Sequence, residues 1–147
     1  MFELNPTLER DSVLIGYLPL CQVRLINDRQ YPWFILVPQR NGISEIYQLV
    51  EEDRSMLMAE SCLLSETLHD AFSADKLNIA AIGNKVTQLH YHHIVRFEGD
   101  ASWPEPVWGK LPAIAYSQEE LASILQKVRS LLSDDLTLPD DDSELYY

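Results

Sequence analysis

Residues 12 to 26 (SVLIGYLPLCQVRLI) are apolar and β-branched, broken by Gly16 and Pro19, and predict one or two strands. Asn27 to Pro32 is a polar, turn-rich connector. It leads to Trp33–Val37 (WFILV), a continuous apolar run closed by Pro38 that predicts a buried strand. The two runs are expected to pair as an antiparallel hairpin. Ser44 to Leu49 has the length of a helical turn. From Glu51 to Phe72 the period changes: Leu57, Met58, Cys62, Leu64, Leu68 and Phe72 recur at about 3.6 residues, and Glu51, Glu52 and Asp53 stand where a helix dipole favours acids. Leu77 to Ile82 (LNIAAI) predicts a further strand, Gly83-Asn84-Lys85 a turn, and Val86 to Phe97 a strand returning antiparallel. Trp103-Pro104, Pro106, Trp108-Gly109 and Pro112 exclude regular structure over residues 101 to 116. Ser117 to Leu132 predicts a second amphipathic helix that opens on a Ser117-Gln118-Glu119-Glu120 capping box. The order argues for an α+β domain: an antiparallel sheet of about five strands, covered on one side by two main helices.

Composition narrows this picture without changing it. The 147 residues fit one domain, and 46% hydrophobic with 23% charged residues is an ordinary globular balance. The domain is expected over residues 1–132, with an acidic, solvated tail over 133–147 where Asp134-Asp135 and Asp140-Asp141-Asp142 cluster. A net charge of -12 with no Lys/Arg cluster argues against a nucleic-acid partner. No stretch approaches the length of a membrane span, and the start lacks the basic and apolar regions of a secretory signal. Cys21 and Cys62 have no CxxC spacing and are expected to be reduced, packed thiols, so a cytoplasmic location is expected.

Three of the four histidines fall within Gln88-Leu89-His90-Tyr91-His92-His93-Ile94. Strand alternation would turn Gln88, His90 and His92 to one face, and Leu89, Tyr91 and His93 to the other. Three readings of that row stay open. His90 and His92 could be polar residues on a solvated face. They could share a metal ion with Asp100 or His69, although no third ligand has a recognisable spacing. Or an imidazole could act as a nucleophile toward phosphorus, since a useful fraction is uncharged at neutral pH. His69, near the end of its helix, and His93, on the far face, are expected to be structural.

The segment resembles the histidine triad (HIT) superfamily, whose motif is His-φ-His-φ-His-φ-φ with φ hydrophobic. The resemblance extends over roughly residues 10 to 110, through Val95-Arg96, Gly99-Asp100, Phe34 to Arg40 and Trp103-Pro104. It implies a HIT-like fold and a nucleotide-binding phosphohydrolase or nucleotidyl transferase acting at an α-phosphorus through a covalent nucleotidyl-histidine. By the same resemblance His90 is the nucleophile and His92 contacts the phosphate or leaving group. Gln88 stands in the place of the first histidine, Asn84 where the family contacts phosphate, and Asn27 near where it holds the ribose. A purine nucleoside phosphate as substrate, a homodimer, and no obligatory metal or cofactor follow from the resemblance too. Two departures bear on activity: Gln88 cannot carry a proton, and Trp33 occupies the place of a further histidine. A non-catalytic nucleotide-binding module is the alternative they leave.

Overall fold

The computed structural model describes residues 1–140. Asn5 caps the first helix, α1 (Pro6–Asp11), by accepting from the Thr7 N–H at 2.8 Å, with Pro6 preset in the first turn. Strands β1 (Ser12–Tyr17), β2 (Cys21–Ile26) and β3 (Trp33–Pro38) follow as an antiparallel meander. A 3-10 turn at Ile46–Gln48 leads into α2 (Glu51–Phe72), which ends on Ser73 in the left-handed region at φ 51. Strands β4 (Lys76–Ala81) and β5 (Tyr91–Arg96) come next, then α3 (Gln118–Leu131), where Ser117 and Glu120 form the capping box read from the sequence. The sheet order is β1-β2-β3-β5-β4, antiparallel throughout, so β5 is inserted between β3 and β4.

Alternation divides the sheet into two faces. Val23, Leu25, Phe34, Leu36 and Val95 meet Leu57, Leu64 and Leu68 of α2 and Leu125 and Val128 of α3 in the main core. The other face is covered in two separate patches. Phe2, Leu4 and Leu8 of the N-terminal segment pack on Ile35 and Val37, while Trp33 and Trp108 pack with Tyr31, Ile94 and Val107. Between the patches lie His90 and His92.

Two expectations need correction, and two features went unread. The strand expected over 86–97 begins only at Tyr91. The last β3–β5 pair is Leu36↔Tyr91 and the last β4–β5 pair is Ala81↔Tyr91; upstream, the Leu89 N–H bonds to Ile43 O at 2.9 Å, outside the sheet. Met58 and Cys62, expected on the buried face of α2, are exposed, so only Cys21 is a packed thiol. Glu60 and Ser61 are buried there instead, because each has a specific partner. The Glu60 carboxylate accepts the Leu20 and Cys21 N–H groups at 2.9 and 3.0 Å, and Ser61 bonds to His93. Part of the expected tail is tied down as well: Tyr17 and Thr137 pair through two 2.8 Å backbone bonds across the β1 edge. Residues 141–147 of that tail lie outside the described residues. Finally, α1 was not read from the sequence, although Asn5-Pro6 carries its signal.

Candidate active site

Directly paired residues share a face, so the register identifies what surrounds the histidines. Ile35 lies opposite His92 on β3 and Ala80 opposite it on β4, while Trp33 lies opposite Ile94. His90, although just outside β5, keeps the expected parity: its ring lies 4.8 Å from that of His92, edge to face. Gln88 does not join them. Its amide is committed at both ends to the N-terminal segment, accepting the Asn5 N–H at 2.8 Å and donating to Glu3 O at 2.9 Å.

Hydrogen-bond partners assign the ring protons. His90 Nδ1 lies 2.8 Å from the backbone carbonyl of Gln88. A carbonyl only accepts, so Nδ1 carries the hydrogen and the neutral ring keeps its lone pair on Nε2. The opposite holds at His92, where the Trp33 indole Nε1–H donates to Nδ1 at 2.9 Å. An indole nitrogen only donates, which places the His92 hydrogen on Nε2. The two rings therefore present complementary atoms: a nucleophilic nitrogen on one, a donor on the other. Burial presses protonation of His92 down to about 3, and the neighbouring His90 and His93 add to it.

His93 lies on the helix side as expected. Its Nδ1 bonds to Tyr91 O at 2.9 Å and its Nε2 to Ser61 Oγ at 2.7 Å, and burial lowers it to about 4. It is a structural, neutral ring. His69 is exposed beside Asp70, and Asp100 is held by Arg96. Among the described residues no group of three or more His, Cys, Asp or Glu is arranged to hold a metal ion.

Asn84 is exposed in the loop between β4 and β5. That loop supplies Gly83 and Thr87 to a small cleft reaching His90, about 20 Å³ in extent and closed on its other side by Ser44 and Glu45. On the order of one water fits such a space. Asn27 is farther along the sheet, where its Oδ1 accepts the Tyr116 N–H at 2.9 Å and ties down the chain entering α3.

The residues that shape the other side of the site were mostly missed. Arg96, fully buried on the site face, donates Nε and Nη2 to Asp100 at 2.8 and 3.1 Å and Nη1 to Asn78 at 2.7 Å. Its guanidinium also lies 5.7 Å from the Tyr31 ring centre and 5.5 Å from that of Trp103. Burial acts to raise the Asp100 carboxyl, but Arg96 and the backbone N–H groups of Phe97 and Ser102 outweigh it and hold it low. Tyr31 OH and Ser102 Oγ lie 2.8 Å apart. The proline-rich loop thus folds back over the sheet and brings the Trp108 ring to 5.3 Å from His92. The Trp108 Nε1–H is buried with no partner among the described residues. Parity from His92 through Ile94 to Arg96 was the available signal: a guanidinium on the site face must find a counter-charge.

The HIT domain family matches residues 7–99. The chain belongs to the histidine triad family. Members of this family are generally nucleotide-binding hydrolases and transferases. The chain is similar to a histidine triad protein from Marinobacter aquaeolei VT8, with 48% identity, 91% of this chain and 98% of that one covered, and a TM-score of 0.89. It is also similar to a histidine triad (HIT) protein from Sinorhizobium meliloti 1021, with 47% identity, coverage of 90% and 98%, and a TM-score of 0.88. A hypothetical histidine triad nucleotide-binding protein from Sulfolobus tokodaii strain7, at 18% identity with 87% of this chain and 88% of that one covered and a TM-score of 0.65, shares the fold. No curated protein matches significantly. The five-stranded antiparallel sheet with its helices is the fold of these neighbours, as the α+β expectation had it. No helix among the described residues is long and apolar enough to cross a membrane.

Proposed function

We propose that this HIT protein binds a nucleoside phosphate and hydrolyses or transfers it at the α-phosphorus through a covalent nucleotidyl-His90. The observation that carries this reading is the bond from His90 Nδ1 to Gln88 O, which leaves the Nε2 lone pair for the phosphorus. His90 Nε2 attacks, the substituent on phosphorus leaves with the bonding pair, and the His92 Nε2–H hydrogen-bonds the oxygen on which charge develops. Water then adds to phosphorus and returns the electron pair to His90. Gln88 serves through its backbone carbonyl, while its side chain fixes the N-terminal segment that borders the site. Asn84 is the exposed amide available to a phosphate, and the unpartnered Trp108 N–H is a second donor beside His92. A phosphate is larger than the cleft at His90, so this reading has the loop between β4 and β5 yield when substrate enters.

The same reading includes a homodimer and a cytoplasmic location. In support, β4 ends the sheet with an edge unpaired among the described residues, Ile79 on it is exposed, and both cysteines are free thiols. A second function is favoured by one observation: the Gln88 side chain is bonded through both its oxygen and its nitrogen to Asn5 and Glu3 of the N-terminal segment, and it is not ionisable. On that alternative the protein is a nucleotide-binding module without chemistry. Hydrolysis of dinucleoside polyphosphates and nucleoside phosphoramidates by wild type and His90→Asn decides. Loss of at least about a thousandfold in the variant, with unchanged circular dichroism, supports the enzyme. Equal rates in both proteins refute the role of His90, and binding without turnover in wild type selects the module.

A further inference from the structure

The Trp33–His92 hydrogen bond runs between side chains of β3 and β5, outside the backbone ladder, and joins a tryptophan to a ring in the site at 2.9 Å. An indole N–H neither accepts nor titrates near neutral pH. While it donates to Nδ1, that nitrogen has no lone pair left for a proton. Turning the indole away is opposed by its packing, with Tyr31 at 6.4 Å and Trp108 at 6.3 Å between ring centres, both edge to face. Among the described residues no carboxylate acts on the His92 ring. On its own strand His92 has His90 and His93 as titratable neighbours, both of which disfavour a positive ring. Across β3 and β4 it meets Ile35 and Ala80, and from the proline-rich loop Trp108. The Asp100 carboxylate is occupied by Arg96.

We infer that Trp33 is a positioning residue that fixes the His92 hydrogen on Nε2, and that the site thereby selects substrates whose leaving group departs without taking a proton. The second half rests on the nucleotidyl-transfer reading above. When His90 Nε2 bonds to phosphorus, the bond from phosphorus to the leaving atom breaks and its electron pair goes to that atom. The oxygen of a phosphate or polyphosphate is a weak base and leaves as the anion, hydrogen-bonded by the His92 Nε2–H, which keeps its hydrogen. An amine nitrogen must be protonated to leave. His92 could supply that proton only by becoming an imidazolate, because its other nitrogen is already engaged by the indole. In the second step water gives its oxygen to phosphorus, the pair of the phosphorus–nitrogen bond returns to His90, and the released proton passes to solvent. The chemical class selected is therefore a phosphoric anhydride of a nucleoside 5′-phosphate over a phosphoramidate of a basic amine.

Two readouts test this, one of them independent of turnover. In ¹⁵N-histidine spectra of the wild-type protein between pH 5 and 8, His92 should show an unprotonated Nδ1 and a protonated Nε2 at every pH. In Trp33→Phe, which keeps a ring and deletes the N–H, the Nδ1 signal should shift toward mixed tautomers or titrate. A wild-type His92 protonated on Nδ1, or titrating in that range, overturns the inference without need of the variant. In the kinetic arm, kcat/KM is compared for diadenosine tetraphosphate and an adenosine 5′-phosphoramidate of an alkylamine. Wild type should prefer the anhydride by at least about a hundredfold, the low end of what a general acid contributes, and Trp33→Phe should reduce that preference by at least about tenfold. Equal rates on the two substrates in wild type, or an unchanged preference in the variant, overturn the leaving-group selection. Failure of wild type on both substrates sinks the nucleotidyl-transfer reading and the selection with it, while the spectra alone decide what Trp33 does to His92.

Discussion

Lowering the pH from 7.5 to 5.0 should destabilise the fold by about 4 kcal/mol through two rings, His92 and His93. Both have an ordinary value of 6.5, and both are pressed down by burial in the folded chain, to about 3 and about 4. Between these values and 6.5 the unfolded chain binds protons that the folded chain refuses, so stability rises with pH there. It is fully present above 6.5 and is lost as the pH falls. At pH 5.0 the interval below 6.5 is about 1.5 units, worth about 2 kcal/mol per ring. A small domain has about 5–15 kcal/mol in total, so the change is large. The assay is urea unfolding followed by tryptophan fluorescence at several pH values, in wild type and in His93→Gln, which keeps an acceptor for Ser61 but does not titrate. The variant should lose about half of the slope, about 1.4 kcal/mol per pH unit near pH 5. Glu60, raised by burial, acts with the opposite sign above its ordinary value of 4.5, but it is common to both proteins and cancels in the difference. Asp100, held below its ordinary 3.8, is silent in this window. Parallel curves for the two proteins would refute the claim that His93 is buried neutral.

Three further outcomes follow from packing and charge. Arg96→Ala leaves the buried Asp100 carboxylate with backbone N–H partners but no counter-charge and should cost about 3 kcal/mol in urea unfolding, with Trp103 and Trp108 becoming accessible to acrylamide; an unmoved midpoint contradicts the anchoring role. Gly16→Ala would place a methyl 2.7 Å from Leu136 Cγ and 2.8 Å from Thr137 O, so a loss of about 1–3 kcal/mol is expected, and a neutral effect in the same assay would mean that residues 136–137 do not rest on β1. A thiol reagent such as DTNB should titrate Cys62 in the native protein and Cys21 only after unfolding, since Cys21 is fully buried with its thiol pushed up by burial and by Glu60; two fast thiols contradict the packing.

Periodicity made most of the fold legible. The span of α2, the capping box of α3 and strand β3 read out of local pattern, as helix period, cap residues and a continuous apolar run buried on both faces, while the run that holds β1 and β2 read only as one or two strands. Polar residues with private partners hid the rest. Glu60 and Ser61 sit at core positions of α2 for the sake of the Leu20–Cys21 backbone and His93, so the apolar stripe seemed to run through Met58 and Cys62. Parity was enough to bring His90 and His92 together and to send His93 to the helices. It could not show that Gln88 turns to the N-terminal segment, since that depends on a partner 83 residues away. Nor could it show that Trp33 reaches diagonally across β3 and β5 to His92, or that Arg96 and Asp100 fold the proline-rich loop over the site. These contacts belong to tertiary structure and leave no local period.

The most direct measurement is the identity of the covalent intermediate. Wild-type protein mixed with diadenosine tetraphosphate, quenched within milliseconds to seconds and kept alkaline to spare a phosphorus–nitrogen bond, is digested and mapped by mass spectrometry. The prediction is one adenylyl group on the peptide containing His90, localised to that ring and missing in His90→Asn. Turnover without any adduct, or an adduct on His92 or His93 instead, contradicts it.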